Sequence, residues 1–139
     1  MKKTDILDVI SRKLAPFILL FGCYLIAYGH LSPGGGFQGG VVLASGIILL
    51  VLCKGVAPIQ VLFPHAAVSL VEILGFLTFL LIGLVGLITR GGFLMNFLPL
   101  SVVTETPHVG FILLLNLIIG LKVGAGITLI CFYLFWEEL

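Results

Sequence analysis

The chain has 139 residues, 60% of them hydrophobic and 9% charged, where a soluble domain carries about 25% charged residues. That composition excludes a water-solvated globule and points to a membrane protein. The formal net charge is +1 and the cations are scattered, so there is no basic face to neutralise phosphates and a nucleic-acid partner is excluded.

Residues 1–13 carry Lys2, Lys3, Arg12 and Lys13 beside Asp5 and Asp8. Ile6, Leu7, Val9, Ile10 and Leu14 are spaced for a short amphipathic helix lying in the membrane interface. The apolar run that follows is longer than a signal-peptide core, and Tyr28-Gly29-His30-Leu31 offers no small-residue cleavage site, so it is kept as mature structure. A first span is expected over 14–31, with Pro16 in its first turn, where a missing N–H costs little.

The stretch Ser32-Pro33-Gly34-Gly35-Gly36-Phe37-Gln38-Gly39-Gly40 must reverse the chain. Proline presets φ near −65° and glycine accepts positive φ. If a helix begins near Gly36, then Gly36, Gly40 and Ala44 form a side-chain-poor stripe that another helix backbone can approach closely. The cluster is not a phosphate cradle, because it lacks both a following Lys-Ser/Thr pair and the Gly-x-Gly-x-x-Gly spacing.

A second span is predicted over 36–53, ended by Lys54-Gly55 and a loop over 56–64 that holds Pro58 and Pro64. The third, over 66–89, closes at Arg90-Gly91-Gly92 and contains Gly75, Gly83 and Gly86, which permit close helix contact in lipid. Residues 93–106 form an apolar connector with Asn96 and Pro99, too short and broken to cross, so it lies along the surface or re-enters slightly. The fourth span covers 107–136 and would be about 45 Å long as a straight helix, beyond a hydrocarbon core of about 30 Å. It must tilt, bend or protrude, with a bend or a tight crossing expected at Gly120, Gly124 and Gly126. Tyr133 and Trp136 suit the headgroup level. The expected fold is therefore an all-α membrane protein, a single domain over 1–139, with four transmembrane helices and a Gly-rich hairpin between the first and second.

Cys23, Cys53 and Cys131 lie within or at the ends of apolar runs without C-x-x-C spacing and read as reduced packing residues. The N-terminal tail and the Lys54 loop carry five cations against Arg90 on the other side, so both termini are expected in the cytoplasm and the glycine hairpin outside.

Lys122 falls near the centre of the fourth span, where an ammonium costs about 2.5–3.5 kcal/mol and its stem is too short to reach water. It is read either as part of an ion path or as a structural lysine satisfied by a carbonyl near Gly124 and Gly126. Glu72 lies roughly 9 Å into the third span, as an ion-path carboxyl or as an interfacial one bonded to Ser69 or a neighbour's cation. Glu105 and His108 join Thr104 and Thr106 in a polar cluster at the start of the fourth helix; capping is the favoured role and an ion path the other. His30 and His65 read as interfacial histidines at helix ends. No Cys/His/carboxylate set has metal spacing and no nucleophile-base pair stands out, so neither an enzyme active site nor a cofactor is expected.

His30-Leu31-Ser32-Pro33-Gly34-Gly35-Gly36-Phe37-Gln38-Gly39-Gly40-Val41 resembles the Pro-Gly-Gly-Gly-Phe-x-Gly-Gly hairpin of the B subunit of Mrp-type multisubunit sodium/proton antiporters. The length, the four spans and the basic start are similar too, so the resemblance covers nearly the whole chain. Homologous subunits also occur in ion-pumping membrane-bound hydrogenases and related respiratory complexes. The resemblance implies a small multi-pass subunit in the cell membrane, partnered by other membrane subunits, by sodium ions and protons, and by lipid, with no cofactor of its own. It carries over Pro33, Gly34, Gly35, Gly36, Phe37, Gly39 and Gly40 as residues needed for assembly or activity. An ion-path role for Glu72 or Lys122 rests on membrane energetics instead. A purely structural spacer is the alternative from another class, and an independent small transporter is disfavoured because no internal repeat is visible.

Overall fold

A computed structural model describes residues 5–31, 33–97 and 109–136 of the chain. Five helices follow in order: α1 Asp5–Tyr28, α2 Gly36–Lys54, the short α3 Val56–Leu62, α4 His65–Arg90 and α5 Val109–Trp136. All but α3 are long and apolar enough to cross a membrane. At 1.5 Å per residue the 19 residues of α2 span about 28 Å, close to the hydrocarbon thickness, while the 28 of α5 reach about 42 Å and overshoot it.

Three local expectations change. The N-terminal stretch does not form a separate interfacial helix; from Asp5 onward it is continuous with the first span, and Pro16 lies in the interior of α1 rather than in its first turn. An uninterrupted helix keeps its interior backbone groups paired within the segment, apart from the carbonyl one turn before Pro16, which has no donor there; a break near residue 14 would leave more of them unpaired. The 56–64 loop contains the short helix α3, which buries Val56 and Ile59. Gly55, with φ of 86°, makes the corner before it and donates its N–H to the Val51 carbonyl. Finally, Gly83 and Gly86 receive the connector, not another helix: Phe93 packs on Gly83, Met95 on Gly86, and the Leu94 N–H donates to the Gly83 carbonyl at 3.5 Å. The described part of the connector, residues 93–97, thus folds back along α4.

The helices are ordered α1, α2, α5, α4 across the bundle, with α4 joined mainly to α5. Contacts fix the directions. Gly22 meets Leu43 and Gly46 meets Leu19, so α1 and α2 are antiparallel; Gly36 meets Asn116 and Gly40 meets Gly120, so α2 and α5 are parallel; Gly75 meets Lys122, and Gly126 faces Glu72, so α4 and α5 are antiparallel. The start of α1 and the end of α5 consequently lie at one end of the bundle. At that end Ala15, Leu50, Val51, Val56, Ile59, Cys131 and Phe132 form the buried core cluster under α3. Of the cysteines, Cys53 and Cys131 are buried packing residues, whereas Cys23 is exposed on the bundle surface, and all three are free thiols.

α5 runs unbroken through Gly120, Gly124 and Gly126. Those glycines mark a tight crossing, with Gly120 and Gly124 against α2 and Gly126 toward α4.

Candidate functional site

The glycine hairpin works as a packing device. Pro33 and Gly34 are exposed at the turn, and Gly34 adopts φ of 153°. Helix α2 then starts at Gly36, and its glycines divide between two neighbours. Gly39 faces α1, where a methyl would strike the Ile26 side chain and approach the Gly22 carbonyl at 2.9 Å. Gly36 and Gly40 face α5: a methyl on Gly36 would land on the Asn116 carbonyl oxygen, and one on Gly40 would sit 2.5 Å from the Gly120 oxygen and 2.9 Å from the Val123 Cβ. Ala44, fully buried, continues the same helix inward. Gly35 holds an extended backbone and supplies no side-chain cap to α2. Phe37 is 60% exposed and points away from both seams.

The first turn of α2 is capped from a distance. Asn116, on α5, accepts a long hydrogen bond of 3.4 Å from the Gly36 N–H through its Oδ1. A helix start in lipid has no water for its free N–H groups, so an amide brought in from a neighbouring helix substitutes for a local Ser, Asp or Asn cap. The other atom of that amide, Nδ2, is buried without a hydrogen-bond partner among the described residues. Sequence reasoning missed Asn116, although a lone amide inside an otherwise apolar span is the kind of residue that the bilayer makes expensive.

A second feature lies at the joint between α4 and α5. Lys122 and Glu72, both half-buried, meet glycines across this joint: a methyl on Gly75 would lie 3.0 Å from the Lys122 Cβ, and one on Gly126 would lie 3.8 Å from the Glu72 Cγ. The Lys122 Nζ rests 5.4 Å from the centroid of the Phe76 ring. The carbonyl contact that belonged to the structural alternative for Lys122 is absent: among the described residues, Lys122 has only this ring contact, and Glu72 has neither the Ser69 bond nor an ion pair. Glu105, Thr106 and His108 lie outside the described residues.

At the end of the bundle where α4 begins, His65 meets the Tyr133 ring edge-on at 5.1 Å. Gln60, His65, Phe132 and Tyr133 line a cavity of about 300 Å³, and Gln60 Nε2 and His65 Nε2 are buried without partners among the described residues. His30 occupies the turn after α1 with its Nδ1 buried and, among the described residues, without a partner.

Residues 6–129 match the family described as a domain related to the MnhB subunit of Na+/H+ antiporter. The chain belongs to the MnhB family. Among the relatives, an uncharacterized protein of Methanocaldococcus jannaschii is 33% identical over 141 residues, covering 97% of this chain and 53% of that protein. The B subunit of the Na+/H+ antiporter of Bacillus subtilis is 42% identical over 64 residues, 45% of each chain. A protein of Staphylococcus saprophyticus that carries the name antiporter subunit mnhB2 is 43% identical over 65 residues, 46% of each. The chain spans about half the length of the curated relatives it matches. The MnhB match includes the glycine hairpin, the α2/α5 seam and the charged joint, so every feature described above except the far end of α5 falls inside the family region.

Proposed function

We propose that this MnhB-family chain is a small integral-membrane subunit of a multisubunit sodium/proton antiporter, acting in assembly and in the ion-translocation module rather than as an enzyme. The observation that carries the reading is the seam made by Gly36 and Gly40 against Asn116, Gly120 and Gly124. It puts the family hairpin to structural use: the motif locks α2 to α5 at backbone distance and holds the hairpin at one end of a four-span bundle.

The exposed apolar faces support the partner assignment. Only 17% of the most apolar window of α4 is buried within the chain. Leu70, Leu74, Leu77, Leu81 and Ile88 project outward from it and suit lipid or the helices of other membrane subunits. The charge balance supports cytoplasmic termini, since Arg12, Lys13 and Lys54 stand at one end of the bundle and Arg90 at the other, and the sequence adds Lys2 and Lys3 ahead of α1. Sodium ions and protons are the transported species in this reading.

The test is purification of the tagged chain in mild detergent, together with sodium-dependent proton exchange in inverted vesicles with and without the chain. Other membrane subunits should copurify, and exchange should fall without the chain. Copurifying redox subunits would instead assign the chain to an ion-pumping hydrogenase or related respiratory complex. Unimpaired exchange in an otherwise assembled complex would reduce it to a spacer.

A further inference from the structure

The helices stand in the order α1, α2, α5, α4, so α1 and α4 flank the α2/α5 pair without closing over it. Between them lies a groove of about 460 Å³. Its floor includes Gly124, Ala125 and Thr128 of α5, all buried, and the Thr128 hydroxyl donates to the Gly124 carbonyl at 2.7 Å, so the floor offers an occupant no unpaired donor. Cys23 of α1 stands on one wall and Ala67 of α4 on the other, both exposed at the rim. The groove is shaped for an apolar group that enters from the side.

The chemistry changes at the α3/α4 corner. Pro64 lines the groove, while its neighbour His65 lines the smaller cavity with Gln60. Among the described residues neither Gln60 Nε2 nor His65 Nε2 has a partner, although both atoms are buried. An amide nitrogen is always a donor and an imidazole Nε2 is one whenever it carries the ring proton, so the pair calls for oxygen acceptors. Burying such groups unpaired is unfavourable, which points to an occupant rather than to a closed core. Few polar groups at one end of an apolar concavity is also the usual build of a small-molecule site.

Depth and charge decide what the occupant is. Phe132, in the polar cavity, and Leu121, in the groove, are about 16 Å apart along α5 at 1.5 Å per residue, half of a hydrocarbon core of about 30 Å. The polar end sits where α4 begins and the apolar end reaches mid-span, which is the layout of one phospholipid in one leaflet. Lys13 and Lys54 stand at the same end of the bundle without a carboxylate partner among the described residues, which favours an anionic headgroup.

We propose that the chain holds one anionic phospholipid, with an acyl chain in the α1/α4 groove and its phosphate oxygens accepting hydrogen bonds from Gln60 and His65. The site belongs to this chain alone and does not depend on the antiporter reading.

Native mass spectrometry of the full chain, delipidated in mild detergent and titrated with phosphatidylglycerol, tests the site. One lipid should bind per chain, and binding should weaken about tenfold in the paired variant Gln60→Leu/His65→Phe, which keeps the side-chain bulk and a ring against Tyr133 but removes both donors. Ala67→Phe, which fills the groove from its rim, should weaken it by a similar factor. Equal retention of phosphatidylcholine and phosphatidylglycerol by the unaltered chain and all variants marks ordinary surrounding lipid and overturns the proposal. Equally tight binding of inorganic phosphate assigns the polar cavity to a free anion and overturns it too.

Cys23 reports on the groove itself, because it is exposed on the wall whereas Cys53 and Cys131 are buried. Bound phosphatidylglycerol should slow its alkylation by N-ethylmaleimide at least fivefold in the unaltered chain and leave it unchanged in Gln60→Leu/His65→Phe, with the modified residue read by peptide mass. Alkylation indifferent to the lipid refutes the acyl-chain placement. In a purified complex, a Cys23 that stays unreactive after delipidation means that a helix of another subunit fills the groove, which also refutes it.

Discussion

Replacing Gly40 by alanine puts a methyl carbon 2.5 Å from the Gly120 oxygen, 2.9 Å from the Val123 Cβ and 3.1 Å from the Gly124 nitrogen. Carbon contacts are most favourable near 3.5–4.0 Å, so α2 and α5 must part by roughly 1 Å, and a gap of 0.5–1 Å already forfeits a quarter to a half of each dispersion contact along the seam. The close neighbours are mostly backbone, which cannot rotate aside. The expected loss is in the range of overpacked cores, about 1–3 kcal/mol for alanine and more for leucine. The same geometry ranks other sites: alanine at Gly124 meets its first atom at 3.3 Å and should cost less, at Gly126 the first contact is 3.8 Å and the cost should be small, and at Gly110 nothing lies within 4 Å. Thermal unfolding in detergent, read by loss of the folded monomer, measures the series, and copurification of other subunits should fall in the same order. Equal stability of the Gly40 and Gly110 variants would refute the claim that α2 and α5 meet at backbone distance.

Asn116→Leu should cost about 1 kcal/mol, the usual worth of a lost helix cap, seen as a lower melting temperature; an unchanged melting temperature would mean that the Asn116 oxygen does not cap α2. Gly83→Leu should displace Phe93 from α4 and raise protease cleavage of the 93–97 segment in detergent, whereas unchanged cleavage would mean that the connector is held elsewhere. For topology, cysteines introduced at Thr4 and Pro33, on a chain lacking Cys23, Cys53 and Cys131, should be labelled by an impermeant reagent only at residue 33 in whole cells. Labelling of residue 4 would reverse the orientation argued from the cations.

Much of this architecture was legible in the chain because the bilayer allows few alternatives. Four long apolar runs must be helices, since unpaired backbone groups are too costly in hydrocarbon, and Pro33-Gly34 within a glycine cluster must turn. The four-residue spacing of Gly36, Gly40 and Ala44 announced a close-packed stripe, and α5 supplies the backbone that it meets. Lys122 and Glu72 stood out as charges that the membrane penalises.

Other features depended on which helices became neighbours. Periodicity shows that a face is small or polar, but not what lies opposite. Only the parallel register of α2 and α5 reveals that Asn116 caps Gly36 across 80 residues of sequence. Likewise, only the antiparallel register of α4 and α5 sets Glu72 over Gly126 and Lys122 over Gly75. Gly83 and Gly86 looked like helix-contact glycines and receive Phe93 and Met95 of the connector instead, because a glycine advertises empty space and not its occupant. Composition and spacing determined that this chain crosses a membrane four times and turns on its glycines. Tertiary packing decided which backbone fills each gap and where the half-buried Glu72 and Lys122 rest, because those depend on distances between segments that local sequence does not encode.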